Sequence, residues 1–124
     1  MRGAADDMCA GVVNQSGTLA IAAFALLLGA LPVSAHCQQT VEVVIQNYRF
    51  EPKLVQIKVG DTVKWVNREK RTSHSVVFSV EQGGESERFF PDESWQRRFD
   101  AAGRFSYHCG PHPEMTGVVE VGGP

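Results

Sequence analysis

The sequence predicts an all-β domain, an antiparallel sandwich or small barrel, and three observations carry that expectation. After residue 40 the apolar residues recur with a period of two. Short runs rich in Val, Ile, Phe, Tyr and Trp are separated by Gly, Pro and Asp turn signals. No segment beyond residue 36 keeps a helical period long enough for a helix. The strands follow in order. Val41, Val43 and Ile45 alternate with Glu42, Val44 and Gln46, as a strand with one buried face would, and Phe50-Glu51-Pro52 breaks it. Leu54 to Val59 reads as the second strand, with Val55, Ile57 and Val59 on one face. Gly60-Asp61 is a tight turn into Thr62 to Val66, where Val63 and Trp65 share a core-facing side. The β-branched run Ser75 to Val80 reads as the fourth strand, and Gln82 to Glu85 as a loop. In Ser94 to Phe99, Trp95, Arg97 and Phe99 oppose Ser94, Gln96 and Arg98. Asp100 to Gly103 turns the chain into Arg104 to Cys109, with Phe105, Tyr107 and Cys109 inward and His108 outward. Gly117 to Val121 is the last strand.

The 124 residues carry 12 Lys+Arg against 14 Asp+Glu, a formal charge of −2. So small a charge gives no long-range field, which argues against a general nucleic-acid binder. A hydrophobic fraction of 43% with 21% charged residues is that of a globular chain. Three cysteines cannot form a fully paired disulfide framework, and they are too few for a four-cysteine zinc or iron–sulfur site.

Leu19 to Leu31 is a charge-free apolar run, followed by Pro32 and the small-residue box Val33-Ser34-Ala35. The run falls short of the roughly 20 residues that a spanning helix needs. Residues 1–35 are therefore expected to be a helical signal peptide and residues 36–124 the mature domain, periplasmic or otherwise exported. No membrane span is then expected after cleavage; a retained leader acting as an anchor is the alternative. The weak point is charge, since Arg2 is the one basic residue before the run and faces Asp6 and Asp7. Cys9 would leave with the leader. Cys37 reads as an adventitious thiol near the new terminus, because His36 separates it from the cut that lipidation would require.

The chain shows no phosphate-cradling glycine loop, nucleophile elbow or suggestive carboxylate pair. Its chemistry concentrates in Tyr107-His108-Cys109-Gly110-Pro111-His112-Pro113-Glu114-Met115. A thiol, an imidazole and a thioether recur there at intervals of three, on a loop stiffened by two prolines. His74, just before the fourth expected strand, adds a second imidazole. Two imidazoles and a thiolate in a plane, with a weak axial thioether, make up a blue-copper electron-transfer site. Soft sulfur favours Cu(I), imidazole suits Cu(II), and a fixed intermediate geometry keeps the rearrangement between them small. Each element alone is weak: a single histidine is usually a surface residue, and a loop methionine is usually packing. Zinc could use Cys109, His74 and His112, but thioether is a poor zinc ligand and a fourth donor is missing. Met115 at the right interval, together with His74 upstream, turns the balance to copper.

Those residues, with Trp65-Val66-Asn67-Arg68-Glu69 leading to His74, resemble the cupredoxin family of the plastocyanin/amicyanin type. The resemblance covers roughly residues 41 to 121, and the short Cys-x2-His-x2-Met loop is similar to the amicyanin-like branch. It implies a Greek-key antiparallel β-sandwich and one type 1 copper ion held by His74, Cys109, His112 and Met115. It also implies a monomeric, non-enzymatic shuttle of single electrons between redox protein partners that dock near His112. The chain departs from the family pattern at two positions. Ser75 stands where the family usually has an asparagine that ties the two ligand loops together, so its shorter hydroxyl must do this. Glu114 stands where the pattern has a large apolar residue, and is expected to make the docking patch partly anionic and select a basic partner.

Other assignments compete. Copper storage or delivery predicts a methionine-rich site, but only three methionines occur and two precede residue 9. A small structural zinc module is a further alternative, and a copper-brace oxygenase built on His36 is set aside because a complete blue-copper set lies elsewhere. Trp65, Phe105 and Tyr107 read as core. His108 reads as a solvated residue or a second electron route, and Arg68, Lys70 and Arg71 as a solvated loop face.

Overall fold

The structure, a computed structural model, describes residues 36–123. The expectations for the leader and for Cys9 fall outside the described residues. Cys37, at the start of the described residues, is half-buried.

The strands are β1 (Thr40–Gln46), β2 (Arg49–Glu51), β3 (Leu54–Lys58), β4 (Thr62–Asn67), β5 (Ser94–Arg98), β6 (Gly103–His108) and β7 (Thr116–Gly122). They form two sheets, ordered β2-β1-β4-β5 and β3-β7-β6. The alternation read from the sequence sets the face of each strand, because a strand's side chains point to opposite sides in turn. Val43, Ile45, Val63 and Trp65 of the first sheet are fully buried, and they share one core cluster with Val55, Ile57, Phe105, Tyr107, Val119 and Val121 of the second. Arg97 lies under this core, its guanidinium carbon 4.6 Å from the ring centre of Phe78 and 4.8 Å from that of Phe99. A cation stacked on ring faces keeps its charge compensated where water is scarce.

The sandwich is mixed, not purely antiparallel. β1 runs parallel to β4, with Val43 opposite Trp65, and β3 runs parallel to β7, with Ile57 opposite Val121. The chain leaves the first sheet after β2, crosses to the second as β3 and returns as β4. Such crossovers let strands near in sequence lie side by side in the same direction.

Two local expectations are corrected. The run Ser75 to Val80 is not a continuous strand but makes isolated bridges, Val77 to both Glu85 and His108. Val77 exchanges hydrogen bonds with His108, while Phe78 donates to Gly84 and Val76 accepts from Ser86. The segment is thus shared between the end of β6 and the 84–89 loop, and it ends in a 3-10 turn, Val80–Gln82. Phe50-Glu51, expected to break β1, instead pairs back on it as β2, with Phe50 opposite Ile45. The turn between them places Asn47 and Tyr48 both at positive φ, 54° and 55°, the left-handed pair that a two-residue hairpin requires.

Tyr107 sits opposite Gly117 across the β6–β7 pair. Burial pushes its phenol up to about 12, so it stays neutral in the core. A Cβ on Gly117 would overlap the hydroxyl end of the Tyr107 phenol, so only glycine fits. Gly117→Ala is expected to lose about 1–3 kcal/mol through overpacking. In urea unfolding the midpoint falls and the slope holds; an unchanged midpoint would show that the ring moves aside at no cost.

Candidate metal centre

The β6–β7 connection, residues 109–115, carries three of the four expected donors. The loop closes on itself: Cys109 N–H donates to the Met115 carbonyl (2.9 Å), and Met115 N–H to the His112 carbonyl (2.9 Å). Pro111 and Pro113 fix the backbone on either side of His112. Cys109 and Met115 point inward and are buried, while His112 is half-buried.

His74 arrives from the long connection after β4. Its backbone pairs with Phe89 in both directions, N–H to carbonyl at 3.1 Å and 3.0 Å. The segment leading to it is organised by Asn67, fully buried at the end of β4. The Asn67 amide donates to the carbonyls of Thr72 (2.7 Å) and Phe89 (3.2 Å), and its oxygen accepts from Glu69 N–H (2.9 Å). One side chain therefore holds both ends of the loop that delivers His74.

Together these elements bring His74 Nδ1 to 3.3 Å from Cys109 Sγ, and Cys109 Sγ to 3.8 Å from His112 Nδ1. One donor atom from each of the three residues lies within 4.8 Å of the others. His74 and Cys109 are fully buried, and His74 Nε2 has no hydrogen-bond partner among the described residues. The surroundings favour the neutral form of both His74 and Cys109. Burial holds His74 below the ordinary imidazole range, and repulsion from His112 adds to this against a smaller pull from Glu69. A neutral imidazole is the ligand form. Burial pushes the Cys109 thiol up, opposed by the backbone N–H groups of Ser75 and His112 and by Arg88; Glu114 raises it further. Burial thus opposes the bare thiolate, and the proton leaves only when a cation takes its place.

Ser75 does tie the two ligand segments together: its hydroxyl accepts from Gly110 N–H at 3.1 Å. Glu114 is exposed, on the rim of a cleft shared with Tyr48, Phe50, Lys53 and Met115. Arg68, Lys70 and Arg71 are exposed, with Arg68 loosely paired to Asp92 at 3.7 Å. His108 is half-buried against Val77 and Thr116.

Two neighbours were not legible in the sequence. Tyr48 stands edge-on to the His112 ring at 5.0 Å and to His74 at 6.2 Å, and its hydroxyl meets Thr72 Oγ1 at 3.3 Å. Its backbone N–H donates to Glu69 Oε1 at 2.6 Å. Glu85 reaches Ser75 with a carboxylate oxygen at 2.8 Å. The Asn47-Tyr48 turn was the one available signal for the first; nothing local pointed to the second.

The donor chemistry fits copper. Two imidazole nitrogens and a thiol converge, and a buried methionine lies on the same loop. That mixture of soft sulfur and imidazole defines a type 1 copper class on a β-sandwich. The comparisons agree. Residues 35–122 match the family model for copper binding proteins of the plastocyanin/azurin family. Amicyanin of Paracoccus denitrificans is 38% identical over 81 residues, which cover 62% of this chain and 61% of that protein. Plastocyanin of Scenedesmus fuscus is 40% identical over 84 residues, covering 58% of this chain and 85% of that one. The solved structure of a reduced Cu(I) form of an amicyanin variant superposes with a TM-score of 0.64 at 34% identity, over 67% of this chain and 82% of the other. The chain belongs to the plastocyanin/azurin family of copper binding proteins, and copper is its cofactor.

Proposed function

We propose that the chain is an exported one-electron carrier in which His74, Cys109, His112 and Met115 hold a single type 1 copper ion. The observation that carries this reading is the convergence of two imidazole nitrogens and one Sγ within 4.8 Å, buried except at His112. Bound copper supplies one-electron exchange between Cu(II) and Cu(I), at a potential set by its donors. Cys109 contributes a thiolate, His74 a neutral imidazole, and the Cys109–Met115 and Met115–His112 hydrogen bonds keep the loop from rearranging as charge changes. With four protein donors no open position is left for a substrate, which supports a carrier over an enzyme. His112 is the donor that reaches solvent, so redox protein partners dock over its ring edge, beside Tyr48. The apolar run and cleavage box support residues 1–35 as a cleaved leader.

The test is addition of Cu(II) to the metal-free chain. An intense thiolate-to-copper visible band saturating at one equivalent is expected; a colourless protein that prefers zinc would contradict the reading. The exposed carboxylate of Glu114 beside the loop supports a basic partner. Glu114→Gln is accordingly expected to flatten the salt dependence of electron transfer to that partner, since rim charges act mainly on association rate. An unchanged dependence would sink this assignment.

A further inference from the structure

We propose that Glu85 is a positioning residue for the metal centre, acting through Ser75 on the peptide that follows Cys109; the inference rests on the copper reading above. Ser75 is fully buried, so its hydroxyl group must be satisfied within the protein. Gly110 N–H can only donate, and it takes a lone pair of Ser75 Oγ at 3.1 Å. The hydroxyl proton therefore goes to Glu85 Oε1, at 2.8 Å. The direction of the whole chain is fixed: Glu85 accepts from Ser75, and Ser75 accepts from Gly110. Ser75 thus holds the peptide that follows Cys109, and Glu85 decides where its hydroxyl points.

Two further observations place the carboxylate. Glu85 is held by the bridge to Val77, at the turn that follows Gly84. A Cβ on Gly110 would overlap both Glu85 Oε1 and Ser75 Oγ, so the pair is packed against the bare Cα of the residue after the thiol. Gly110 is not among the positive-φ positions, so alanine there meets the clamp and not a backbone penalty. A full negative charge one hydroxyl away from the Cys109–Gly110 peptide also favours the more positive metal state. Groups that orient a metal ligand from outside typically control affinity about 10- to 100-fold.

The experiment uses the full copper-loaded chain and three readouts: copper release to a chelator, the energy of the thiolate-to-copper band, and the reduction potential. Glu85→Ala, which removes the acceptor, is expected to release copper about tenfold faster and to shift the band. Glu85→Gln keeps an acceptor oxygen, so release stays near that of the parent chain while the potential moves positive as the charge is lost. Gly110→Ala is expected to imitate Glu85→Ala. Glu87→Ala, at an exposed position two residues on, leaves all three readouts unmoved. If the parent chain gives a normal band and Glu85→Ala behaves like Glu87→Ala, the proposal is overturned alone. A parent chain with no band overturns the copper reading, and this proposal with it.

Discussion

Cys109→Ser is expected to give a folded chain with no thiolate-to-copper band. Its copper affinity should fall by more than the roughly 100-fold that losing an outer partner costs. The substitution is close to isosteric, and the backbone of residue 109 keeps its bond to the Met115 carbonyl, so the loop survives. What is lost is the soft donor. A serine hydroxyl is a far weaker acid than the thiol and a harder ligand, so neither its proton nor its orbital match favours copper. Visible and paramagnetic resonance spectra after Cu(II) addition check the site, and far-ultraviolet circular dichroism checks the fold. A retained intense band would remove Cys109 from the donor set.

Asn67→Ala is expected to be the most damaging change away from the donors. The residue is fully buried, and its side chain satisfies the Thr72 and Phe89 carbonyls and the Glu69 N–H. Truncation leaves the Thr72 carbonyl and the Glu69 N–H without a partner, while the Phe89 carbonyl keeps the His74 N–H; buried unpaired groups cost about 1–3 kcal/mol each when water cannot reach them. With partial relief by solvent at the Thr72 end, a net loss of about 3 kcal/mol follows. For a domain of this size the melting temperature then drops by on the order of 15 °C. Copper release should accelerate as well, because the same bonds hold the segment that delivers His74. Asn67→Asp provides the second arm: it keeps the acceptor for Glu69 N–H but presents an oxygen to two carbonyls, so it should be no better than alanine. Thermal unfolding decides the matter, and a shift of a degree or two would show that the loop stands without this side chain.

The strand faces were legible because a period of two admits no ambiguity about which side is buried once one face is apolar. Val43, Ile45, Val63, Trp65, Phe105 and Tyr107 all lie where the alternation put them. Pairing partners were not legible. The parallel β1–β4 and β3–β7 pairs depend on where the chain crosses between sheets, and no local residue records that. Ser75 to Val80 has strand composition, but its hydrogen bonds go one residue at a time to two different neighbours. Composition reports what suits an extended backbone and says nothing of whether a partner runs alongside. In the site, Cys109, His112 and Met115 could be read together because one loop carries them. Ser75 was picked out as the tie between loops, and its bond to Gly110 N–H bears that out. Tyr48 and Glu85 reach the centre from distant parts of the chain, through a hairpin turn and a loop whose local signals spoke only of turning.

The most direct test of the carrier reading is a spectroelectrochemical titration of the copper-loaded chain, followed at the thiolate-to-copper band. The prediction is one reversible one-electron step, with full recovery of the band over repeated cycles and no copper appearing in a chelator outside the protein. A band that fails to return, or copper that leaves in one oxidation state, would contradict it and point instead to delivery of the metal.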